Sequence, residues 1–140
     1  MKVGFTGTQR GMEGKQQDRL LEILSSIKLL EFHHGDCIGA DDQAHYLIGK
    51  YLKSKDICIV IHPPSDFKKR AWCKGSRIER EVKPYLERNK DIVDETDLLI
   101  ACPKSDKEEL RSGTWSTIRY ARKQNKKVVL IYPNGDIKGG

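Results

Sequence analysis

A chain of 140 residues is the size of one domain, and a second independent core does not fit within it. Its 37% hydrophobic and 33% charged residues support a packed interior beneath a well-solvated surface, and no apolar run approaches the roughly 20 residues needed to span a bilayer. The formal net charge of +6 points to anionic partners, without separating a nucleotide from a polynucleotide.

The chain enters directly into Lys2-Val3-Gly4-Phe5-Thr6, a strand-like segment rather than a signal peptide, so cytoplasmic residence is the default expectation. Val3–Thr6 is the first of five apolar segments that read as buried strands. Leu20, Ile23, Leu24 and Ile27 follow at helical spacing. A second strand is expected over Leu30–His34, then a helix carrying Ala44, Leu47, Ile48 and Tyr51, then a third strand over Ile57–Ile61. Pro84 interrupts the long segment Ser76–Asp94, which predicts two helices or one kinked helix, with Arg88-Asn89 near a helix start. Tyr85, Leu86, Ile92 and Val93 supply its apolar positions. Leu98–Cys102 is the fourth strand, a short helix runs from about Thr114 to Lys123, and Lys127–Tyr132 is the fifth strand. Strands alternating with helices predict an α/β fold with a parallel sheet and right-handed crossovers. One domain covers residues 1–133, followed by a short tail over 134–140.

Cys37, Cys58, Cys73 and Cys102 are scattered, with no CxxC pairing, so neither a zinc site nor a disulfide framework is expected. Cys58 and Cys102 lie in apolar strand-like runs and read as buried free thiols. Nine basic residues between Lys68 and Lys90, with Trp72 among them, read first as a solvated helix face.

In an open parallel sheet, ligands bind beyond the carboxyl ends of the strands, at the point where strand order reverses. The residues after each expected strand therefore carry the functional reading. They are Gly7-Thr8-Gln9-Arg10-Gly11, Gly35-Asp36-Cys37-Ile38-Gly39-Ala40-Asp41, His62-Pro63-Pro64-Ser65 and, past a charged loop, Arg111-Ser112-Gly113-Thr114-Trp115-Ser116-Thr117. These loops are rich in Gly, Ser, Thr and Asp. Glycine lets backbone approach a phosphate, and amides at a helix N-terminus favour an anion. Ser112-Gly113-Thr114 before a helix is the sharpest instance, and an ordinary N-cap accounts for it equally well.

Two familiar nucleotide signatures fail. A P-loop needs Gly six residues before Lys15 and Ser or Thr after it, where the chain has Gln9 and Gln16. A dinucleotide fingerprint needs GxGxxG after the first strand, and Gly7-Thr8-Gln9 breaks it. Asp41 and His45 share a helix face, but two groups do not make a metal site, and His45 reads as structural. No metal and no cofactor are expected.

Taken in order, the loops resemble the SLOG superfamily of Rossmann-like nucleotide-binding domains. His34-Gly35-Asp36-Cys37-Ile38-Gly39-Ala40-Asp41 is similar to the HGGARGAD element of its small YspA-type branch. Arg88-Asn89 followed by Thr96-Asp97-Leu98-Leu99-Ile100-Ala101 resembles an element shared with the DNA-processing protein A family. Ser112-Gly113-Thr114, Ala121 and Lys127-Val128-Val129 resemble the phosphate loop, helix and final strand. The resemblance implies a Rossmann-like three-layer sandwich with a five-stranded parallel sheet of order 3-2-1-4-5. It implies ligands such as nucleoside monophosphates, ADP-ribose derivatives or cyclic signalling nucleotides. Gly7, Thr8, Gln9 and Arg10 would then line a pocket with Gly35, Pro63, Arg88, Asn89, Ser112, Gly113, Thr114 and Trp115. Asp36 and Asp41 would contact ribose hydroxyls or cap the second helix. The superfamily's phosphoribohydrolases of the lonely-guy type carry PGGxGTxxE, and here Thr117 stands at the glutamate position, where it cannot stabilise positive charge on a ribose.

The leading functional expectation is a sensor or sequestering protein for a phosphorylated nucleoside or ADP-ribose-class derivative, with phage or bacterial defence as a conjectured context. The second is a nucleotide N-glycosidase or deoxyribosyltransferase-like enzyme, with Asp41, Glu79 or Glu81 as candidate carboxylates. The third is single-stranded DNA binding of the DNA-processing protein A type, through the basic stretch around Trp72. A homodimer through helices is the expected assembly.

Overall fold

The computed structural model describes residues 1–139. In chain order the elements are β1 (Lys2–Gly7), α1 (Gly14–Ser26), β2 (Glu31–His34), α2 (Ala40–Tyr51), β3 (Cys58–Ile61), β4 (Ile78–Glu79), α3 (Tyr85–Asp94), β5 (Leu98–Cys102), α4 (Gly113–Lys123), β6 (Lys127–Ile131) and β7 (Ile137–Gly139). All eleven belong to an α/β fold built on one sheet, ordered β4-β3-β2-β1-β5-β6-β7. Every strand pair is parallel except β6–β7.

Side chains alternate across a strand, and here the alternation sorts the interior into two layers. Leu98, Ile100 and Cys102 of β5 join Phe5, Phe32, Leu20, Leu24, Ala44 and Ile48 on the face covered by α1 and α2. Leu99 and Ala101, from the same strand, join Val93, Ile118, Ala121, Val128 and Leu130 on the face covered by α3 and α4. Strands buried on both faces can be apolar throughout, and all five residues of β5 are buried. No helix among the described residues is long and apolar enough to cross a membrane.

The sheet corrects the sequence expectation in two places. It has seven strands rather than five, so the full order is not 3-2-1-4-5. The five expected strands are the inner ones, β3-β2-β1-β5-β6. The two added edges carry little sequence signal. β4 is two residues long, and β7 follows a tight turn in which Gly135, at φ +90°, donates its amide to the Tyr132 carbonyl at 2.8 Å. Residues 137–139 of the expected tail thus pair with β6, and Gly140 lies outside the described residues.

The second correction is the segment from Ser76. Only Tyr85–Asp94 is helical; Ile78–Glu79 is strand β4. Proline disfavours helical backbone in the residue before it but suits a helix entrance, and Pro84 sits at the N-cap of α3. The basic stretch 68–90 is therefore an extended strap followed by a helix, not one solvated helix face. Arg70 and Arg88 within it are buried.

Candidate functional site

β1 is central, flanked by β2 on one side and β5 on the other, so strand order reverses beside its carboxyl end. A pocket of about 460 Å³ opens there. The β1–α1 loop contributes Gly7, Thr8, Gln9 and Arg10, and the β2–α2 loop contributes Gly35, Cys37 and Asp41. Tyr85, Arg88, Asn89 and Ile92 enter from α3 at i, i+3, i+4 and i+7, one helix face. Ser112, Gly113 and Thr114 close the far side at the start of α4.

Close backbone packing sets the first two loops against each other. Thr8 accepts the amides of Gly11 (3.1 Å) and Ala40 (3.0 Å) on its carbonyl and that of Arg10 (3.1 Å) on its hydroxyl. Gly39 has φ +91°, and a Cβ there would lie 2.4 Å from the Gln9 carbonyl oxygen, so no side chain fits.

The start of α4 has one amide capped and two free. The Ser112 hydroxyl accepts from the Trp115 amide at 3.2 Å, an ordinary N-cap. Among the described residues the amides of Gly113 and Thr114 have no acceptor, and the Thr114 hydroxyl has no partner. Thr117 lies outside the pocket lining. It is buried, and its hydroxyl donates to the Gly113 carbonyl at 2.8 Å.

Arg88 is the strongest feature of the pocket. Its side chain is buried, and it donates to the carbonyls of Gly35 and His62 and to Cys37 Sγ. No carboxylate lies within ion-pair distance of it among the described residues, and its Nε is buried without an acceptor. Buried charges are normally paired, so a cation left in this state is a ready receptor for an anion. Asn89, also buried, has a side-chain amide with no partner among the described residues. At the mouth, Arg10, Lys69 and Arg111 add positive charge with no ion-pair partner among the described residues, while Lys104 pairs with Glu109 at 3.3 Å.

Asp41 supplies the opposing charge. Its Oδ2 accepts the amides of Gly35 (3.1 Å) and Cys37 (3.2 Å). Burial pushes its carboxyl up to about 6, against the lowering effects of Arg88 and those two amides. Oδ1 has no partner among the described residues. Cys37 also lines the pocket, but burial raises its thiol above the ordinary range, which disfavours the nucleophilic thiolate.

Most residues singled out from the sequence converge here: Gly7, Thr8, Gln9, Arg10, Gly35, Asp41, Arg88, Asn89, Ser112, Gly113 and Thr114. Five residues singled out from the sequence lie outside that lining. Asp36 is fully buried and anchors the strap, accepting Arg70 Nε and the Cys73 amide at 2.8 Å each. Trp115 packs into the core beneath α4, and Pro63 is buried outside the lining. Glu79 and Glu81 are exposed at the β4 edge, where Glu79 meets Arg70 at 3.3 Å. Lys69, Tyr85 and Lys104 line the pocket without having been singled out for it: the two lysines lie in loops that carry no periodicity, and Tyr85 reads from the sequence only as an apolar position of α3.

The other predicted features fall elsewhere. His45 accepts from His34 Nε2 on its Nδ1 and donates from Nε2 to the Lys74 carbonyl, tying α2 to the strap. All four cysteines are free; Cys102 is buried and Cys58 is half-buried. Trp72 is 55% exposed at φ +58°, with the Arg70 guanidinium 3.8 Å from its ring centroid.

No known protein family matches the chain, and no curated protein matches it. Among solved structures it is similar to the molybdenum cofactor binding protein from the phototrophic bacterium Rippkaea orientalis. The TM-score is 0.66 at 17% identity, over 94% of this chain and 77% of that one. The likeness is one of fold: a Rossmann-like α/β architecture.

Proposed function

We propose that the protein binds a phosphorylated nucleoside, of the nucleoside monophosphate to ADP-ribose class, and acts as a sensor or sequestering protein. The observation that carries this reading is Arg88, a buried cation with no carboxylate partner among the described residues, in one pocket with the Gly113 and Thr114 amides, which have no acceptor among them either. A phosphate would supply the missing anion to both. The Asn89 amide and Asp41 Oδ1 offer a donor and an acceptor for ribose hydroxyls or base edges. The pocket volume lies within the roughly 300–1,000 Å³ usual for small-molecule sites. The SLOG resemblance of the loops supports the same ligand class, and a fold neighbour described as a molybdenum cofactor binding protein is consistent with small-molecule binding in general.

Calorimetric titration with AMP, ADP-ribose and cyclic nucleotides, followed by chromatography of the recovered ligand, tests the proposal. Saturable binding with the ligand recovered intact is expected. Absence of heat with every phosphorylated nucleoside contradicts it.

A second reading rests on Asp41, a pocket carboxylate whose Oδ1 has no partner among the described residues and whose proton is held up to about 6. Such a group could serve as an acid or stabilise a ribosyl cation in N-glycoside cleavage. Free base released by the wild type and not by Asp41→Asn would favour the enzyme over the sensor.

A further inference from the structure

Two histidine clusters lie outside the pocket, one on each face of the sheet, and the direction of their protons separates them. In the first, His34, His45 and Cys73 approach one another. The Asp36 amide donates to His34 Nδ1 at 3.0 Å, so the neutral ring carries its proton on Nε2 and donates it to His45 Nδ1 at 2.9 Å. No lone pair on Nε2 is left for a metal. That cluster is a closed hydrogen-bond chain ending on the Lys74 carbonyl.

The second cluster has the same His–His contact, in which His62 Nε2 donates to His33 Nδ1, but nothing among the described residues pins His62 Nδ1, so its proton can move to Nδ1 and free Nε2 as a ligand atom. His33, from β2, places Nε2 2.8 Å from Glu31 Oε1, which fixes the proton on Nε2 and turns the Nδ1 lone pair inward. Nδ1 lies 2.9 Å from His62 Nε2 and 3.9 Å from Glu95 Oε1. The three potential ligand atoms all fall within 4.8 Å of one another. Bonds of about 2.0–2.1 Å to a tetrahedral ion put neighbouring ligand atoms about 3.3 Å apart, a value the two observed separations bracket. A histidine oriented by a carboxylate on its far nitrogen is the usual outer arrangement of a metal ligand. Arg80 holds Glu95 through Oε1 alone, leaving Oε2 without a partner among the described residues.

We propose that His33 Nδ1, His62 Nε2 and a Glu95 carboxylate oxygen form a site for a borderline divalent transition metal of the zinc class. Two imidazoles and one carboxylate suit such an ion better than magnesium or calcium, which prefer oxygen ligands. Three protein ligands leave a fourth position, and Glu95, one-third exposed, puts it on the solvent side. The ligands come from β2, the loop after β3 and the end of α3, so no spacing motif in the sequence announces them. This site lies outside the lining of the proposed nucleotide pocket, to which His62 is joined only by its carbonyl, which accepts from Arg88 at 3.1 Å.

The test uses the full chain, stripped with chelator and titrated with Zn2+ by calorimetry and with Co2+ by visible absorption. One equivalent of each is expected to bind. The Co2+ spectrum should show ligand-field bands and no thiolate charge-transfer band. Glu95→Gln and His62→Gln should each weaken binding at least as much as Glu31→Gln, for which a loss of about 10–100-fold is expected of an orienting carboxylate. His45→Gln should leave affinity unchanged. Glu95 is partly exposed and its replacement preserves shape, so that variant remains informative if His62→Gln fails to fold. Absence of one-equivalent binding, unchanged affinity in Glu95→Gln, or a thiolate band assigning the metal to Cys73 would overturn the proposal.

Discussion

Arg88 and Asp41 put opposite charges into one buried corner of the pocket, yet they are not held as an ion pair. Each is satisfied mostly by backbone: Arg88 by the Gly35 and His62 carbonyls, Asp41 by the Gly35 and Cys37 amides. The consequence at Asp41 is a carboxyl at about 6 rather than the ordinary 3.8, with burial as the main cause. A proton bound more tightly in the folded state stabilises that state while it is bound. This contribution is present below the ordinary value and is lost as pH rises through about 6. The difference corresponds to about 3 kcal/mol. Urea unfolding across that window should show stability falling with rising pH in the wild type, with the Asp41 share of the slope removed in Asp41→Asn. Identical slopes in the two proteins would show that Asp41 titrates normally. The sequence placed both residues near the pocket, because HGDCIGAD and the Arg88-Asn89 pair are legible as loop and helix-start motifs. It left open whether Asp36 and Asp41 contact a ligand or cap the second helix, and did not separate the two residues. That division depends on Arg70 and Cys73, 34 and 37 residues further on, which no local pattern encodes.

At the scale of elements, the strap between β3 and α3 is the least expected part of the molecule. It is fastened to the β2–α2 loop by the Asp36 side chain, by the Ala71 amide on the Asp36 carbonyl (2.7 Å) and by the Ile38 amide on the Lys69 carbonyl (2.9 Å). These bonds carry Lys69 to the pocket and hold Trp72 outward over Arg70. Asp36→Ala removes the acceptor for a buried Arg70 and should destabilise the fold by about 3–5 kcal/mol, the usual cost of breaking a buried pair. Denaturant midpoints check this, and a loss below about 1 kcal/mol would mean that the strap holds without its anchor. The five inner strands and the four helices were readable because apolar periodicity and loop chemistry agree along the chain. β4 and the strap were not. A two-residue strand has no period, and a run of lysines and arginines reads as solvated until two of its members prove buried.

Across the whole molecule, the charge of +6 and the exposed Trp72 leave single-stranded DNA as the rival to a small ligand. The two partners differ in salt dependence. A polynucleotide tracking Arg10, Lys69, Arg111 and the strap would release several counterions, with a logarithmic slope of about −0.7 per phosphate contacted. A mononucleotide engages only its own phosphates in one pocket, so its affinity should fall only weakly between low and physiological salt. Fluorescence anisotropy with labelled oligonucleotides, beside calorimetry with AMP and ADP-ribose, separates them. A steep slope with oligonucleotides and no response to mononucleotides would reassign the basic surface to nucleic acid. The rim cations Arg10, Lys69 and Arg111 line the same pocket as the buried Arg88, which favours the small ligand.

Arg88, buried and without an ion-pair partner among the described residues, is the receptor proposed for a ligand phosphate. Thermal unfolding of wild type and Arg88→Gln, each with and without saturating ADP-ribose or AMP, tests this role most directly. Binding to the native state raises stability by about 2.7 kcal/mol at a hundred times the dissociation constant. The wild type should gain a shift of that order while Arg88→Gln, folded by circular dichroism, gains little or none. Equal shifts in the two proteins would mean that the ligand sits elsewhere. No shift in the wild type would mean that the pocket does not bind phosphorylated nucleosides.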